Sequence, residues 1–244
     1  MVVDEWTHER RLVANACRIL AHRGLVDDIL GHVSLRVSDT TVLIRCRGPR
    51  ERGLKFTEIT DIQEVSLDGS HDLPDGYSAP NELPLHLAVL STSPKIRSVV
   101  HAHPPAVVAM TLTGQRLRPV IGAFNMPAMA MATLGIPTYS SSALIRNSSR
   151  AAEMVAAMGA APVVLLHGHG LTASGASVQE AVVRALNVDS LARMQLSVLS
   201  AGFAPEDIDD GDRSDLPDLG SEFNDGHVWR FHLAALEHEG LLIP

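Results

Sequence analysis

The stretch SVVHAHPP, residues 98–105, combines a short apolar run with two histidines and two prolines. The apolar residues predict a buried strand, and the prolines predict its end, because proline lacks the N–H that strand pairing needs. Side chains two residues apart face the same side of a strand. His101 and His103 are therefore expected to project together into a crevice at the end of the strand.

A second apolar run, VVLL, leads into His167-Gly168-His169-Gly170. It predicts another buried strand, spanning part of 161–175 and leaving into a glycine-rich loop, from which a third imidazole can reach the same crevice. Three neutral imidazoles with an open coordination position are typical of a catalytic divalent-metal site. An isolated His-x-His pair is equally compatible with hydrogen-bonded core histidines, so spacing alone leaves both interpretations open.

The rest of the chain alternates predicted helices and strands, which favours one α/β domain over residues 1–244. The segment 31–48 predicts two strands joined by a Ser-Asp turn, and 59–69 leads into another strand. The stretch 119–142 is expected to be irregular around one strand, and 204–244 an acidic loop plus a C-terminal helical tail. Helices are predicted over 5–24, 81–92 (with Asn81 as N-cap), 106–114, 148–159 and 177–201.

Composition restricts the class of protein. Of the 244 residues 45% are apolar, and the formal net charge is −8, which argues against disorder and against a nucleic-acid partner. The two cysteines, Cys17 and Cys46, exclude a disulfide framework. The charged start MVVDEWTHERRL does not resemble a signal peptide, and no apolar run is long enough for a membrane span. A cytoplasmic protein is expected.

Four motifs occur in an order that resembles the class II aldolase/adducin family. They are GHVSLR (31–36), NELPLH (81–86), VVHAHPPAVVAMT (99–111) and LLHGHGLTASG (165–175). The resemblance covers about residues 8–200. It implies a single-domain, three-layer α/β/α fold with a central mixed sheet flanked by helices.

The resemblance also implies roles for individual residues. His101, His103 and His169 match the family's metal ligands, His169 standing in the family's Asn-His-Gly segment. Glu82 matches its catalytic acidic residue, with a pKa that burial is expected to raise. His167 then becomes a neighbouring or substrate-contacting residue. His86, one helical turn after Glu82, is compatible with orienting Glu82 or with an ordinary place on the helix face.

Two departures from sugar-phosphate aldolases indicate a different substrate. His32 replaces the asparagine of a phosphate-binding turn, and the family's Thr-Pro-Ser-Gly phosphate loop is replaced by IRCRGPRERGLKFTE, residues 44–58. Arginine presents a planar fork that suits carboxylates. The expected carboxylate-binding residues are His32, Ser34 and one or more of Arg45, Arg47, Arg50 and Arg52, since not all four arginines can face one substrate. A solvated loop or a salt-bridge cluster between subunits remains an alternative for the arginines.

The sequence thus resembles most closely those family members that decarboxylate aromatic hydroxy-dicarboxylates, such as dihydroxyphthalates or hydroxy-methylpyridine dicarboxylates. The metal would stabilise an enolate-like intermediate while Glu82 transfers the proton. The alternatives are a class II aldolase acting on a non-phosphorylated hydroxy-acid or sugar acid, a non-haem iron oxygenase, and a non-catalytic adducin-like domain. A lysine Schiff base is disfavoured, because the chain has only Lys55 and Lys95.

The expected cofactor is one divalent ion per subunit, zinc or manganese first, with iron and cobalt compatible. The expected partners are a small aromatic dicarboxylate and further copies of the chain. The resemblance implies a homo-oligomer, a tetramer in the family, with neither nucleic acid nor membrane as a partner.

Overall fold

One seven-stranded sheet lies at the centre of the computed structural model, which describes residues 5–244. The strands are β1 His32–Arg36, β2 Thr41–Arg45, β3 Ile62–Ser66, β4 Ser98–Ala102, β5 Thr138–Tyr139, β6 Val163–Leu166 and β7 Gly170–Gly175. Their order is β3-β2-β1-β4-β7-β6-β5. Neighbouring strands are antiparallel except β5 and β6, which are parallel, so the sheet is mixed as predicted.

Helices cover both faces of the sheet within the described residues. They are α1 Thr7–His22, α2 Leu83–Ser91, α3 Pro105–Leu112, α4 Met126–Leu134, α5 Ser148–Met158, α6 Val178–Ser200, α7 Asp210–Asp215 and α8 Val228–His238. One hydrophobic core joins the sheet to α1, α3, α4, α6 and α8, and a second joins the opposite face to α2 and α5. The predicted three-layer α/β/α fold is confirmed.

The alternation of side chains along β1 and β4 decides which residues reach which core. Val33 and Val100 belong to the core beneath α1 and α6, whereas Val99 belongs to the core beneath α2 and α5. Because successive strand residues face opposite sides, His32 and His101 point toward α2. The polar residues of the central strands therefore share the face of the sheet on which Glu82 lies.

Several predicted elements differ from the structure. Asn81 is not an N-cap, since α2 begins at Leu83 with Glu82 at the cap position. The glycine-rich segment after β6 is a tight turn into β7 and not a loop. The stretch predicted to be irregular contains α4, whose start is capped by the Asn125 side chain accepting from the Ala128 amide. The predicted acidic loop contains α7, and a π-helical turn, Glu222–His227, leads into α8.

Among residues 5–244, no helix combines the length and the apolar character that crossing a membrane requires.

Candidate metal centre

The pairing of β1 with β4 places His32 directly opposite His101. Their rings are stacked, with centroids 5.0 Å apart. His101 is fully buried, and its partner on the other side, in β7, is Thr172. The sequence folds this way because β4 is the central strand, so residues on its face are enclosed by β1, β7 and α2.

Three further side chains converge beside His101 and form a cluster of four residues with it. His103 follows β4, His169 lies in the turn between β6 and β7, and Glu82 immediately precedes α2. One ligand atom from each of these four residues lies within 4.8 Å of the others. His101 Nε2 is 2.9 Å from His103 Nε2 and 3.1 Å from Glu82 Oε2, and His169 Nε2 is 3.7 Å from Glu82 Oε2.

The donor set fits a divalent cation. Ligands about 2.0–2.2 Å from a tetrahedral ion such as zinc lie roughly 3.3–3.6 Å from one another, close to the spacing observed here. His101 Nδ1 is 3.0 Å from the carbonyl oxygen of Leu171, and donation to that oxygen leaves Nε2 facing the cluster. Both ring nitrogens of His169 are buried without a hydrogen-bond partner among the described residues. An ion at the centre would satisfy one of them.

Burial keeps the imidazoles of His103 and His169 neutral, which is the form that binds a metal ion. It lowers the pKa of His103 to about 3 and that of His169 to about 4, with the charge of His101 contributing in the same direction. Neutral imidazoles offer a lone pair, so neither ring has to lose a proton at neutral pH before it coordinates a cation.

Glu82 is held by a backbone group that the sequence did not reveal. Its Oε1 accepts a hydrogen bond from the amide of Ile145 at 2.9 Å, which leaves Oε2 toward the histidines. Burial raises the pKa of Glu82, but the hydrogen bond and charge of His101 and the Ile145 amide outweigh burial, and the pKa falls to about 2. The expectation of a raised pKa was therefore wrong for this arrangement, because it considered burial without the surrounding donors.

A second group of polar residues lies behind the cluster. His86 is fully buried, with Nε2 2.7 Å from His32 Nδ1 and Nδ1 2.7 Å from Ser34 Oγ. Both of its nitrogens are thus occupied, and Ile145 takes the role of orienting Glu82. Ser34 is also fully buried. His32 Nε2 is 4.0 Å from Glu82 Oε2, so His32 borders both groups.

The remaining candidate substrate residues have partners of their own. Arg45 is buried and pairs with Glu51, while Arg50 and Arg52 pair with Glu58. The backbone of Arg47 forms an isolated bridge with Ser78. His167 Nδ1 is 3.0 Å from Ser142 Oγ, outside the four-residue cluster. Their roles in substrate binding stay predictions.

The chain is similar in sequence to a known protein family and to named relatives. Residues 11–196 match the sequence profile of the Class II Aldolase and Adducin N-terminal domain. A 3,4-dihydroxyphthalate decarboxylase from Arthrobacter keyseri is 54% identical over 231 residues, which cover 93% of each chain. A protein of the same name from Rhodococcus jostii is 47% identical over 229 residues, covering 92% of this chain and 94% of that one.

The fold is also similar to that of a solved structure. An aldolase II superfamily protein from Pseudomonas syringae superimposes with a TM-score of 0.81, covering 99% of this chain and 96% of that one, at 21% sequence identity. At this identity the similarity concerns the fold alone.

Proposed function

The chain belongs to the class II aldolase and adducin family, and we propose that it is a metal-dependent decarboxylase of an aromatic hydroxy-dicarboxylic acid such as 3,4-dihydroxyphthalate. The observation that carries the proposal is the convergence of Glu82 with His101, His103 and His169 around one point. The substrate class is supported by three relatives named 3,4-dihydroxyphthalate decarboxylase, which are 47–54% identical over more than nine-tenths of the chain.

The proposed ligands of the ion are His101, His103 and His169, with Glu82 close enough to contact it as well. When bound, the ion would supply Lewis-acid stabilisation of the negative charge that develops on the substrate oxygen. The hydrogen bond of His101 to Leu171 fixes the ring that faces the ion. This arrangement resembles other sites in which a backbone carbonyl orients a ligating histidine.

Glu82 begins the reaction as a carboxylate, a form that the hydrogen bond from the Ile145 amide favours. It accepts the proton of the ring hydroxyl next to the carboxylate that leaves, and then donates that proton to the ring carbon bearing this carboxylate. The carbon–carbon bond breaks, its electron pair returns to the ring and the hydroxyl oxygen, and CO2 departs. A proton from water restores the hydroxyl, so each turnover consumes one proton.

His32 borders the cluster and is the proposed contact for a substrate carboxylate, supported by its place 4.0 Å from Glu82 and beside His101. Ser34 contributes through His86, to which its hydroxyl is hydrogen-bonded. His167, Arg45, Arg47, Arg50 and Arg52 are retained as proposed substrate contacts.

We further propose zinc or manganese as the ion, aromatic catabolism as the setting, a cytoplasmic location and a homotetramer. The donor set of three imidazoles accepts either metal. The buried, unpaired Cys17 and Cys46 suit a reducing compartment. Large apolar side chains such as those of Phe124 and Leu134 are exposed on the single chain, which supports contact between subunits.

The test is an anaerobic incubation of the metal-loaded protein with 3,4-dihydroxyphthalate. We expect one CO2 per substrate consumed, and we expect Glu82→Gln to lower kcat at least about 100-fold, because the carboxylate that moves the proton is lost. The matched control is Glu153→Gln, which makes the same change on α5, at a carboxylate that accepts a hydrogen bond from Tyr139. Bound metal is measured in each variant so that loss of the ion is not mistaken for loss of the proton carrier.

Two results would contradict the proposal. Formation of an aldehyde from a hydroxy-acid substrate, without CO2 release from any aromatic diacid, would identify an aldolase. Full decarboxylase activity in Glu82→Gln with normal metal content would remove Glu82 from the reaction.

A further inference from the structure

Three buried side chains form a hydrogen-bonded chain that ends at the metal cluster. Ser34 Oγ is 2.7 Å from His86 Nδ1, and His86 Nε2 is 2.7 Å from His32 Nδ1. His32 Nε2, at the far end, faces Glu82 Oε2 at 4.0 Å. Ser34 and His32 share one face of β1, and His86 lies above them on α2, so the alternation of side chains along β1 brings both within reach of His86.

The direction of these hydrogen bonds is decided at Ser34. Its side chain is fully buried, and among residues 5–244 its hydroxyl hydrogen-bonds to His86 Nδ1 and to no other group. If the hydroxyl accepted a proton from His86, its own O–H would be buried without an acceptor, which is unfavourable. Ser34 therefore donates, and His86 Nδ1 accepts.

The donation then passes along the chain. Burial lowers the pKa of His86 to about 3, so its ring is neutral and carries a single N–H. With Nδ1 accepting from Ser34, that N–H is on Nε2 and donates to His32 Nδ1. A neutral His32 that accepts at Nδ1 carries its own N–H on Nε2, the nitrogen that faces the cluster.

We propose that Ser34 and His86 are positioning residues that fix His32 as a hydrogen-bond donor to a substrate carboxylate and prevent it from becoming a fourth imidazole ligand of the ion. An imidazole nitrogen must be unprotonated to bind a metal ion, whereas the hydrogen bonds from Ser34 through His86 place a proton on His32 Nε2. The N–H lies on the side of the negatively charged Glu82 and of an incoming anion. The carboxylate part of this inference rests on the proposed function.

The assignment of the protons is tested without substrate. Protein labelled with ¹⁵N-histidine is loaded with zinc alone, which is diamagnetic, and NMR distinguishes protonated from bare ring nitrogens. Signals are assigned through their loss in His32→Gln and His86→Gln. We expect His32 and His86 both to carry the proton on Nε2. A proton on Nδ1 of His32, or a bare Nε2 bound to zinc, would overturn the proposal.

Ser34→Ala tests whether Ser34 sets the direction of the hydrogen bonds that run through His86 to His32. Without the serine donor, we expect a second tautomer to become populated at His86 and at His32. The matched control is Ser98→Ala, which removes another buried hydroxyl of the same sheet. The Ser98 hydroxyl donates to the backbone oxygen of Ser34 and takes no part in the Ser34–His86–His32 hydrogen bonds. Unchanged tautomers in Ser34→Ala would show that Ser34 does not set them. The measurement on the unmodified protein decides the proposal even if this variant fails to fold.

Kinetics test the donor itself. Relative to Ser98→Ala, Ser34→Ala is expected to raise KM for 3,4-dihydroxyphthalate about tenfold, with a smaller change in kcat, because the substrate loses a fixed donor. His32→Gln keeps an N–H donor and is expected to retain more affinity than His32→Leu by about tenfold. Equal KM values in His32→Gln and His32→Leu would contradict the donor role. If the protons lie as predicted and no decarboxylation occurs, the proposed function fails and the proton assignment stands.

Discussion

Arg45 and Arg50 lie five residues apart in the same arginine-rich segment, yet they experience different environments. The Arg45 side chain is 4% exposed and pairs with Glu51, which also accepts a hydrogen bond from the Gly53 amide. The Arg50 side chain is 80% exposed and pairs with Glu58 in solvent. An ion pair enclosed by protein loses much more than an exposed pair when one partner is removed, because the remaining charge is left without water.

Arg45→Ala is therefore expected to lower the free energy of unfolding by about 3 kcal/mol, because it leaves Glu51 poorly hydrated beside an empty space. Arg50→Ala serves as the control and is expected to change it by less than about 1 kcal/mol. Urea unfolding of the two variants measures both values. If Arg45→Ala retained normal stability but raised KM for the dicarboxylate, Arg45 would be a substrate contact, as its sequence context predicts, and not a structural ion pair.

At the scale of elements, the turn between β6 and β7 determines where His169 lies. Gly170 is the first residue of β7 and lies beside the end of β4. A Cβ atom at Gly170 would lie 2.2 Å from the carbonyl oxygen of Ala102 and 3.0 Å from the Cα atom of His103. Both neighbours are backbone atoms of the segment that carries the His-x-His pair, so they cannot move without moving the cluster.

Gly170→Ala is expected to destabilise the protein by about 3 kcal/mol and to weaken metal binding at least tenfold, because β7 and His169 must move away from β4. Gly114→Ala is the control: its φ of +73° is unfavourable for alanine, but a Cβ there meets no atom within 4 Å. Its expected cost is about 1–2 kcal/mol with unchanged metal affinity. Metal titration and thermal unfolding would check both, and equal metal affinities would disprove the role of this close approach.

Features that depend on neighbouring residues were predictable from the sequence, whereas features that depend on residues far away in the sequence were not. β4 and its histidine pair were predictable because alternation and proline are local signals. β7 was mistaken for a loop, since its pairing with β4 depends on residues some 70 positions away. For α4 a local signal existed, as Asn125 followed by Pro127 is a typical helix start. The Ile145 amide was not predictable, because a backbone donor has no residue type that marks it.

At the scale of the whole molecule, the cluster brings together segments that are far apart in the sequence. Its four residues come from the start of α2, the end of β4 and the turn after β6. The unfolded chain cannot bring them together at this spacing, so an ion binds the folded protein far more tightly than the unfolded one. Metal binding must then stabilise the whole domain by mass action.

At an ion concentration about 100 times the Kd, the expected stabilisation is about 2.7 kcal/mol. For a chain of this length that corresponds to a rise in Tm of roughly 5–10 °C over the chelated protein. His169→Ala should abolish most of this rise, because it removes the ligand from the β6–β7 turn, whereas His167→Ala, two residues away and hydrogen-bonded to Ser142, should retain it. The comparison is made by calorimetry at one protein concentration, since assembly of subunits would also shift Tm. A Tm that is indifferent to chelation, or a rise that survives in His169→Ala, would mean that the ion is not held by the cluster.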